Sequence, residues 1–167
     1  MKTVIFLGMS GVGKSTIGKD VSSHLSLNFI DTDDVIMKGE SEDLQSLINR
    51  IGNDRFISLE ADYIKPLLKP NHIISPGGSF IYSTDFIQTI INDVIFIYLY
   101  DTAENIYKRI PNIESRGIVG FNGSNFNVLH ANRDKLYKKV AHVQFNINYL
   151  GFSKTTDSIV NFLRLNS

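Results

Sequence analysis

Cysteine and tryptophan are both absent from this chain of 167 residues. Without cysteine, the protein forms no disulfide and has no thiolate metal site. An excess of charge is missing as well, because 17 lysines and arginines balance 17 aspartates and glutamates. A neutral chain has no general attraction to nucleic acid or to an anionic membrane. We therefore expect neither as a partner, and we expect any anion to be bound by a local site.

Long apolar runs are also missing. The longest, such as residues 94–99, are far shorter than the roughly 20 residues that a membrane-spanning helix needs. The first residues lead straight into an apolar strand and show no signal-peptide pattern. We expect a cytoplasmic protein. A chain of this length with 43% hydrophobic residues suits one domain over residues 1–167, which we expect to be a monomer.

Apolar runs alternate with segments of helical periodicity along the chain, which is typical of buried parallel strands joined by helices. The predicted strands are Thr3–Leu7, Asn28–Asp31, His72–Ser75, Val94–Tyr100 and Phe145–Tyr149. The predicted helices are Ser15–Leu25, Leu44–Ile51, Arg55–Leu68, Thr84–Ile91, Thr102–Arg109, Arg133–His142 and Thr156–Leu163. With right-handed crossovers, this order predicts an α/β fold: a three-layer α/β/α sandwich on a five-stranded parallel sheet, with ligands at the carboxyl ends of the strands.

Residues 110–127 fit neither the strand period nor the helix period. They include three glycines, four asparagines and one proline. A loop of this length in a small domain is either a functional lid or a mobile surface connection. The composition leaves both open.

A phosphate-binding motif follows the first predicted strand and precedes the first predicted helix. Residues 8–15 read GMSGVGKS and match G-x-x-x-x-G-K-[ST] in the context that this motif requires. Glycines let backbone amides turn toward a phosphate, and the helix directs its positive end at the same anion. Lys14 adds a charge for the β- and γ-phosphates, and the Ser15 hydroxyl is suited to ligate Mg²⁺. The residues predicted to bind the nucleotide are Gly11, Val12, Gly13, Lys14, Ser15 and Thr16.

Three aspartates, Asp31, Asp33 and Asp34, stand at the carboxyl end of the second predicted strand, on the same sheet edge as the phosphate-binding loop. In extended backbone, Asp31 and Asp33 would point to the same side. One could then help to hold Mg²⁺ while the other accepts a hydrogen bond from an attacking hydroxyl. Alternatively, Asp33 or Asp34 is merely the N-cap of the next helix. Spacing alone does not choose between the two.

Together these segments resemble the shikimate kinase family, in the family's order and over nearly the whole chain. The first similar segments are residues 8–16 with Gly18, and residues 29–33, which contain the family's Asp-x-Asp. Residues 52–60 are similar to the family's Gly-Glu...Phe-Arg-x-x-Glu stretch, and residues 75–79 to its triple-glycine loop. The matching residues after these are Arg109, Arg116, and Arg133 with Tyr137. The resemblance implies an ATP- and Mg²⁺-dependent kinase of the nucleoside-monophosphate-kinase-like fold that phosphorylates a hydroxyl of shikimate, a compact polar acceptor.

The resemblance also implies a role for each matching residue. Residues 110–127 become the lid, whose arginine stabilises charge on the transferred phosphoryl group, and residues 32–68 form the acceptor-binding helices. The implied catalytic residues are Lys14, Asp33 and Arg116; Asp31 and Ser15 support the metal; Arg109 packs on adenine; and Asp33, Gly77, Gly78 and Arg133 bind the acceptor. Without the resemblance, Arg109 reads as an ordinary cation at the end of a helix.

The sequence departs from the family pattern mainly at the acceptor end. Ile57 stands where the family has an arginine for the substrate carboxylate, and Ser79 replaces the third glycine. The lid sequence also differs, with Gly-Ile-Val after Arg116. Isoleucine cannot replace a guanidinium, and Arg55 lies about 200° around the helix from residue 57.

Three functional hypotheses are therefore open. The first is a shikimate or shikimate-like kinase. The second is a kinase of the same fold for another cyclitol, a sugar acid or a nucleotide. The third is a nucleotide-dependent switch or a non-catalytic relative that binds ATP, although the Asn-Lys-x-Asp element of a GTPase is absent.

Overall fold

A computed structural model describes residues 1–166, which contain a five-stranded parallel sheet. The strands are β1 (Thr3–Leu7), β2 (Asn28–Asp31), β3 (His72–Ser75), β4 (Val94–Tyr100) and β5 (Val143–Asn146), in the order β2-β3-β1-β4-β5. All four neighbouring pairs are parallel. The carboxyl ends of all five strands therefore meet at one edge, with β1 in the middle.

The helices complete an α/β/α sandwich, as predicted. They are α1 (Lys14–Leu25), α2 (Thr32–Glu40), α3 (Leu44–Ile51), α4 (Asn53–Ile64), α5 (Thr84–Ile90), α6 (Ala103–Arg109), α7 (Phe126–Val140) and α8 (Ile147–Leu165), with short 3₁₀ turns at Lys65–Leu67, Gly78–Tyr82 and Ile113–Ser115. Helix α1 packs against α8, and α7 packs against β4. In the part of the chain described, no helix has both the length and the apolar character needed to cross a bilayer.

Buried apolar residues form two clusters. The main core surrounds β1 and β4. Strand β1 is fully buried and five of the seven residues of β4 are buried, which explains their unbroken apolar runs. The second cluster joins α2, α3 and α4 to residues 110–127, and its buried members are Ile36, Leu44, Leu47, Ile48, Phe56 and Val119. Val119 comes from the predicted lid, so this segment is packed onto the predicted acceptor-binding helices.

The predicted boundaries are wrong at the C-terminal elements. Strand β5 covers 143–146, not 145–149, because Asn146 caps α8 by accepting a hydrogen bond from the Tyr149 backbone N–H. Helix α8 therefore starts nine residues earlier than the predicted start at Thr156, with a kink at Gly151 (φ 74°, ψ 170°). Helix α7 likewise starts at Phe126, well before the predicted Arg133.

The backbone expected around the aspartates is also wrong. Residues 32–40 form α2, and Asp31 is its N-cap, since its Oδ1 accepts from the Asp33 N–H at 3.1 Å. Neither Asp33 nor Asp34 is the cap, and the pair does not project from an extended strand. Both Asp31 and Asp33 nevertheless line the cleft beside the phosphate-binding loop.

Candidate active site

The phosphate-binding loop closes the carboxyl end of β1 and opens α1. Gly8 and Gly13 have φ values of 148° and 111°. A Cβ at Gly8 would lie 2.6 Å from the Leu99 carbonyl oxygen, so a side chain fits neither the backbone nor the space. Inside the loop, the buried Lys14 Nζ donates to the Gly8 and Met9 carbonyls at 2.9 and 3.1 Å. The loop thus holds a cation at its centre, in front of a helix N-terminus.

Lys14 lies among groups of both charges. Burial lowers the pKa of its ammonium group to about 8, and the nearby carboxylates of Asp33 and Asp31 partly offset this effect. An incoming polyphosphate adds negative charge beside the ammonium and so favours its charged form. The geometry suits a lysine that binds terminal phosphates.

Ser15 and Asp31 form the proposed metal site. The Ser15 hydroxyl donates to Asp31 Oδ2 at 2.5 Å, which brings a hydroxyl and a carboxylate together at the start of α1. Oxygen ligands of this kind suit Mg²⁺. Within residues 1–166 no cluster of three His, Asp or Glu side chains could hold a metal. A cation here would take its other ligands from phosphate and water, which is how Mg²⁺ is usually bound in such sites.

Asp33 lies in the first turn of α2 and lines the same cleft as Lys14 and Arg116. Burial and the neighbouring Asp31 raise the pKa of its carboxyl to about 6, while Lys14 and Arg116 act in the opposite direction. Asp33 is therefore poised to change charge near neutral pH. A carboxyl group in that state is suited to accept a hydrogen bond or a proton from a hydroxyl.

The loop after β3 is fixed by a buried carboxyl group that was given no role from the sequence. Glu60 on α4 is 0% exposed. Its Oε1 accepts from the Gly77 N–H at 2.7 Å, and its Oε2 accepts from the Ser79 hydroxyl at 3.0 Å. Burial and Asp33 raise the pKa of Glu60 to about 7. The only signal in the sequence was its place in the family's Phe-Arg-x-x-Glu stretch.

Arg133 lines a small cavity that adjoins the cleft at Asp33 and Gly77. It is 1% exposed. Its Nη2 donates to the Val119 carbonyl at 2.7 Å, its Nε donates to the Tyr82 hydroxyl at 3.3 Å, and the guanidinium lies over the Tyr82 ring. Its Nη1 faces Gly78, where an added Cβ would be 2.8 Å away. The contacts hold the guanidinium so that Nη1 is directed at the loop containing Gly77 and Gly78.

The predicted lid brings Arg116 to the same cleft. Arg116 lines the cleft with Lys14 and Asp33, and the next residue, Gly117, passes directly beside Leu44 of α3. Ile118 and Val119 are buried behind it. The structure thus brings together the three residues predicted to be catalytic.

Arg109 is at the other end of the cleft. It forms a salt bridge with the fully buried Asp101 side chain, and its guanidinium lies 5.4 Å from the centre of the Phe152 ring. Phe152 also packs against Gly13 of the phosphate-binding loop and lines the cleft. Sequence patterns do not point to Phe152, because it lies between the last predicted strand and the last predicted helix.

Arg55 does not take the place of the missing arginine. Its side chain is exposed and borders a surface depression with Asp54, Ser58 and Asp62, outside the cleft. Ile57 packs at the margin of the second cluster. The family pattern has one arginine at position 57 of α4 and another in α7. In this chain only the second of them, Arg133, is present at the acceptor end.

A parallel sheet in this order, with the phosphate-binding loop between β1 and α1, defines a P-loop protein of the nucleoside-monophosphate-kinase-like fold. The family model for shikimate kinase matches residues 10–164. A shikimate kinase from Staphylococcus epidermidis is 31% identical over 142 residues, covering 84% of each chain. Another from Pelotomaculum thermopropionicum is 27% identical and covers 98% of this chain and 96% of its own. The chain belongs to the shikimate kinase family.

The fold of a solved family member agrees with this assignment. The structure of a shikimate kinase from Acinetobacter baumannii in complex with shikimate superposes with a TM-score of 0.88. It covers 100% of this chain and 95% of its own, at 21% identity. At this identity the likeness concerns the fold.

Proposed function

We propose that the protein is an ATP-dependent kinase that transfers the γ-phosphoryl group to a hydroxyl of shikimate. The observation that carries the proposal is one cleft in which Lys14, Asp33 and Arg116 meet. Membership of the family and its similarity to proteins named shikimate kinase support the choice of acceptor.

The three residues divide the work of phosphoryl transfer. Lys14 binds the β- and γ-phosphates from inside the loop, next to the N-terminus of α1. Asp33 accepts the hydrogen bond of the attacking hydroxyl and directs its oxygen at the phosphorus. Arg116 supplies positive charge to the equatorial oxygens of the transferred group in the transition state. Because little covalent chemistry is needed from the protein, position and charge account for most of the catalysis.

Ser15 and Asp31 would hold Mg²⁺, which neutralises charge on the β- and γ-phosphates when bound. The backbone amides of residues 11–16 cradle the phosphates, and Arg109 with Phe152 borders the place where the base would lie. These assignments rest on the family resemblance and on the fact that the residues line one cleft.

The acceptor end would hold an anionic group less strongly than the family pattern implies. Gly77, Gly78 and Arg133 line it, together with Asp33. With Ile57 in place of an arginine, a carboxylate loses one charge-assisted partner, worth roughly 1.5 to 3 kcal/mol. This departure is the observation that favours the second candidate, a kinase of the same fold for an acceptor without a carboxylate, such as a neutral cyclitol.

A coupled ADP-release assay over shikimate, other polyhydroxy acids and neutral cyclitols decides between the two. We expect shikimate to give the highest kcat/KM, with a raised KM. The folded Lys14→Ala variant should lose turnover by about 100- to 1,000-fold, because a preorganised charge is removed. A neutral cyclitol that is turned over better than shikimate would favour the second candidate. No turnover of any acceptor would favour the non-catalytic relative.

A further inference from the structure

Glu60 is a buried carboxyl group that forms no salt bridge with any residue of the described chain. Among residues 1–166, no Lys, Arg or His group lies within 4.0 Å of its oxygens, and its hydrogen-bond donors are the Gly77 amide and the Ser79 hydroxyl. Removing one hydrogen-bond partner from a buried carboxylate is costly, because the carboxylate keeps its desolvation penalty. The hydrogen bond from Ser79 therefore offsets a substantial part of the free-energy cost of burying the Glu60 carboxyl group.

Ile57 stands three residues before Glu60 on α4. Residues three apart on a helix are neighbours on its surface, so this is a position from which a cationic side chain could pair with Glu60. Isoleucine supplies no donor there. The donor comes instead from Ser79, a buried residue of the 3₁₀ turn after β3, where the family pattern has a glycine. Two departures from that pattern thus meet at one carboxyl group.

We propose that Ser79 is a positioning residue that replaces the missing cation at residue 57. Its hydroxyl holds Oε2 of Glu60, and Oε1 then holds the Gly77 amide, so the acceptor-binding edge of the loop stays in place. Gly77 lies between Glu60 and Asp33, since a Cβ there would be 2.8 Å from Glu60 Oε1 and 3.3 Å from Asp33 Oδ1. A shift of this loop therefore moves first the contacts proposed for the acceptor, which Gly77 and Asp33 border. The effect on the acceptor rests on the proposed function.

The test is a double-mutant cycle of wild type, Ser79→Ala, Ile57→Arg and the double variant. Ser79→Ala should raise KM for shikimate roughly tenfold, with KM for ATP unchanged, because one hydrogen bond to a charged group is lost. Ser79→Thr keeps the hydroxyl and should restore most of the affinity. The matched control is Ser83→Ala, since that hydroxyl donates to the Ile57 carbonyl at 3.3 Å and not to Glu60. It should leave both KM values unchanged.

The coupling between the two positions is the deciding quantity. Ile57→Arg should lower KM for shikimate whether residue 79 is serine or alanine. The factor should be several-fold larger when Ser79 is alanine, because the new guanidinium then pairs with a Glu60 that has lost a hydrogen-bond donor. Equal factors in the two backgrounds would overturn the proposal. So would an unchanged KM in Ser79→Ala.

Thermal unfolding of the same four proteins without substrates separates this proposal from the proposed function. Ser79→Ala should lower Tm by about 2 to 4 °C. Ile57→Arg should then raise Tm more in the Ser79→Ala protein than in the wild type. If the wild type phosphorylates no acceptor and this coupling is present, the proposed function fails while the role of Ser79 stands. Additive Tm changes would overturn it whatever the activity.

Discussion

Asp33 is the residue whose charge the proposed chemistry needs most directly. Its pKa is raised to about 6, mainly by burial and then by Asp31. Above that pH the carboxylate is ionised and can accept a charge-assisted hydrogen bond or a proton from a hydroxyl, whereas below it the group is already protonated and accepts only a weaker hydrogen bond.

We therefore expect kcat/KM for the acceptor to fall about tenfold per pH unit below about pH 6. Asp33→Asn should lower kcat by on the order of 100-fold or more and abolish this acidic limb, with KM for ATP nearly unchanged. Steady-state rates from pH 5 to 8 provide the measurement. Asp31→Asn is the matched control and should instead shift the Mg²⁺ dependence. Identical profiles for the two variants would contradict the separate roles.

At the residue scale, the sequence predicted the nucleotide end better than the acceptor end. Lys14 and Ser15 followed from a motif whose geometry is local to one strand-loop-helix unit. Glu60 and Ser79 are 19 residues apart and meet only in the folded chain. Phe152 packs against Gly13 across more than 130 residues, so no local pattern could have shown it.

At the element scale too, features that follow from local sequence patterns were predicted correctly, and those that depend on distant or irregular features were not. Strands β1 to β4 have the predicted bounds. In β1 and β4 the reason is burial, because buried parallel strands leave near-continuous apolar runs. Strand β5 and the start of α8 were misplaced because Asn146 ends the strand as a helix cap, and Gly151 then interrupts the helical period. Helix α2 is absent from the helices that periodicity predicts, although the family resemblance implies helices over residues 32–68. Its first turn is polar, which fits a loop equally well.

The kink in α8 provides a prediction of its own. Gly151 has φ 74° and ψ 170°, a region open almost only to glycine, and it precedes Phe152 at the nucleotide end. Gly151→Ala should cost about 1 to 3 kcal/mol in unfolding free energy and raise KM for ATP. Gly52→Ala is the control, because Gly52 has φ 82° and ψ 163°, with open space around it, far from Phe152 in the chain. It should cost similar stability with KM for ATP unchanged. Equal KM changes in both variants would argue against a positional role for the kink.

The lid remains a prediction for residues 110–127. Its buried residues Ile118 and Val119 pack on the acceptor side, and Arg133 holds the Val119 carbonyl. We expect amide hydrogen exchange in this segment to be the fastest outside the termini for the free protein, and to slow when an ATP analogue and shikimate bind together. Mass spectrometry of exchange in free, singly bound and doubly bound protein measures it. Equally slow exchange in all three would contradict a moving lid.

At the scale of the whole molecule, Glu60 links the pH of the solution to stability. Its pKa is raised from 4.5 to about 7, so the folded state binds the proton more tightly than the unfolded state does. This contribution is fully present below about pH 4.5 and is lost as the pH rises through about 7. We expect the unfolding free energy to fall by up to about 3 kcal/mol over that range.

Glu60→Gln keeps the shape of the side chain and removes the titration. Urea unfolding of this variant between pH 5 and 8 should show a flatter dependence than the wild type, with the remaining slope coming from Asp33, whose pKa is raised as well. A slope unchanged by the substitution would show that Glu60 does not titrate in this range.

A monomeric state is a separate expectation for the whole chain, which sedimentation can test.

The parallel sheet has a practical consequence for engineering. Because every strand points the same way, the short connections that enter the strands, such as residues 26–27, 68–71 and 91–93, lie at the edge opposite the cleft. Residues 71 and 92 are exposed there. Backbone cuts, fluorescent labels or inserted peptides at these turns would leave the chemistry at the other edge undisturbed. The edge of the sheet opposite the cleft is thus a suitable place to attach a reporter of turnover.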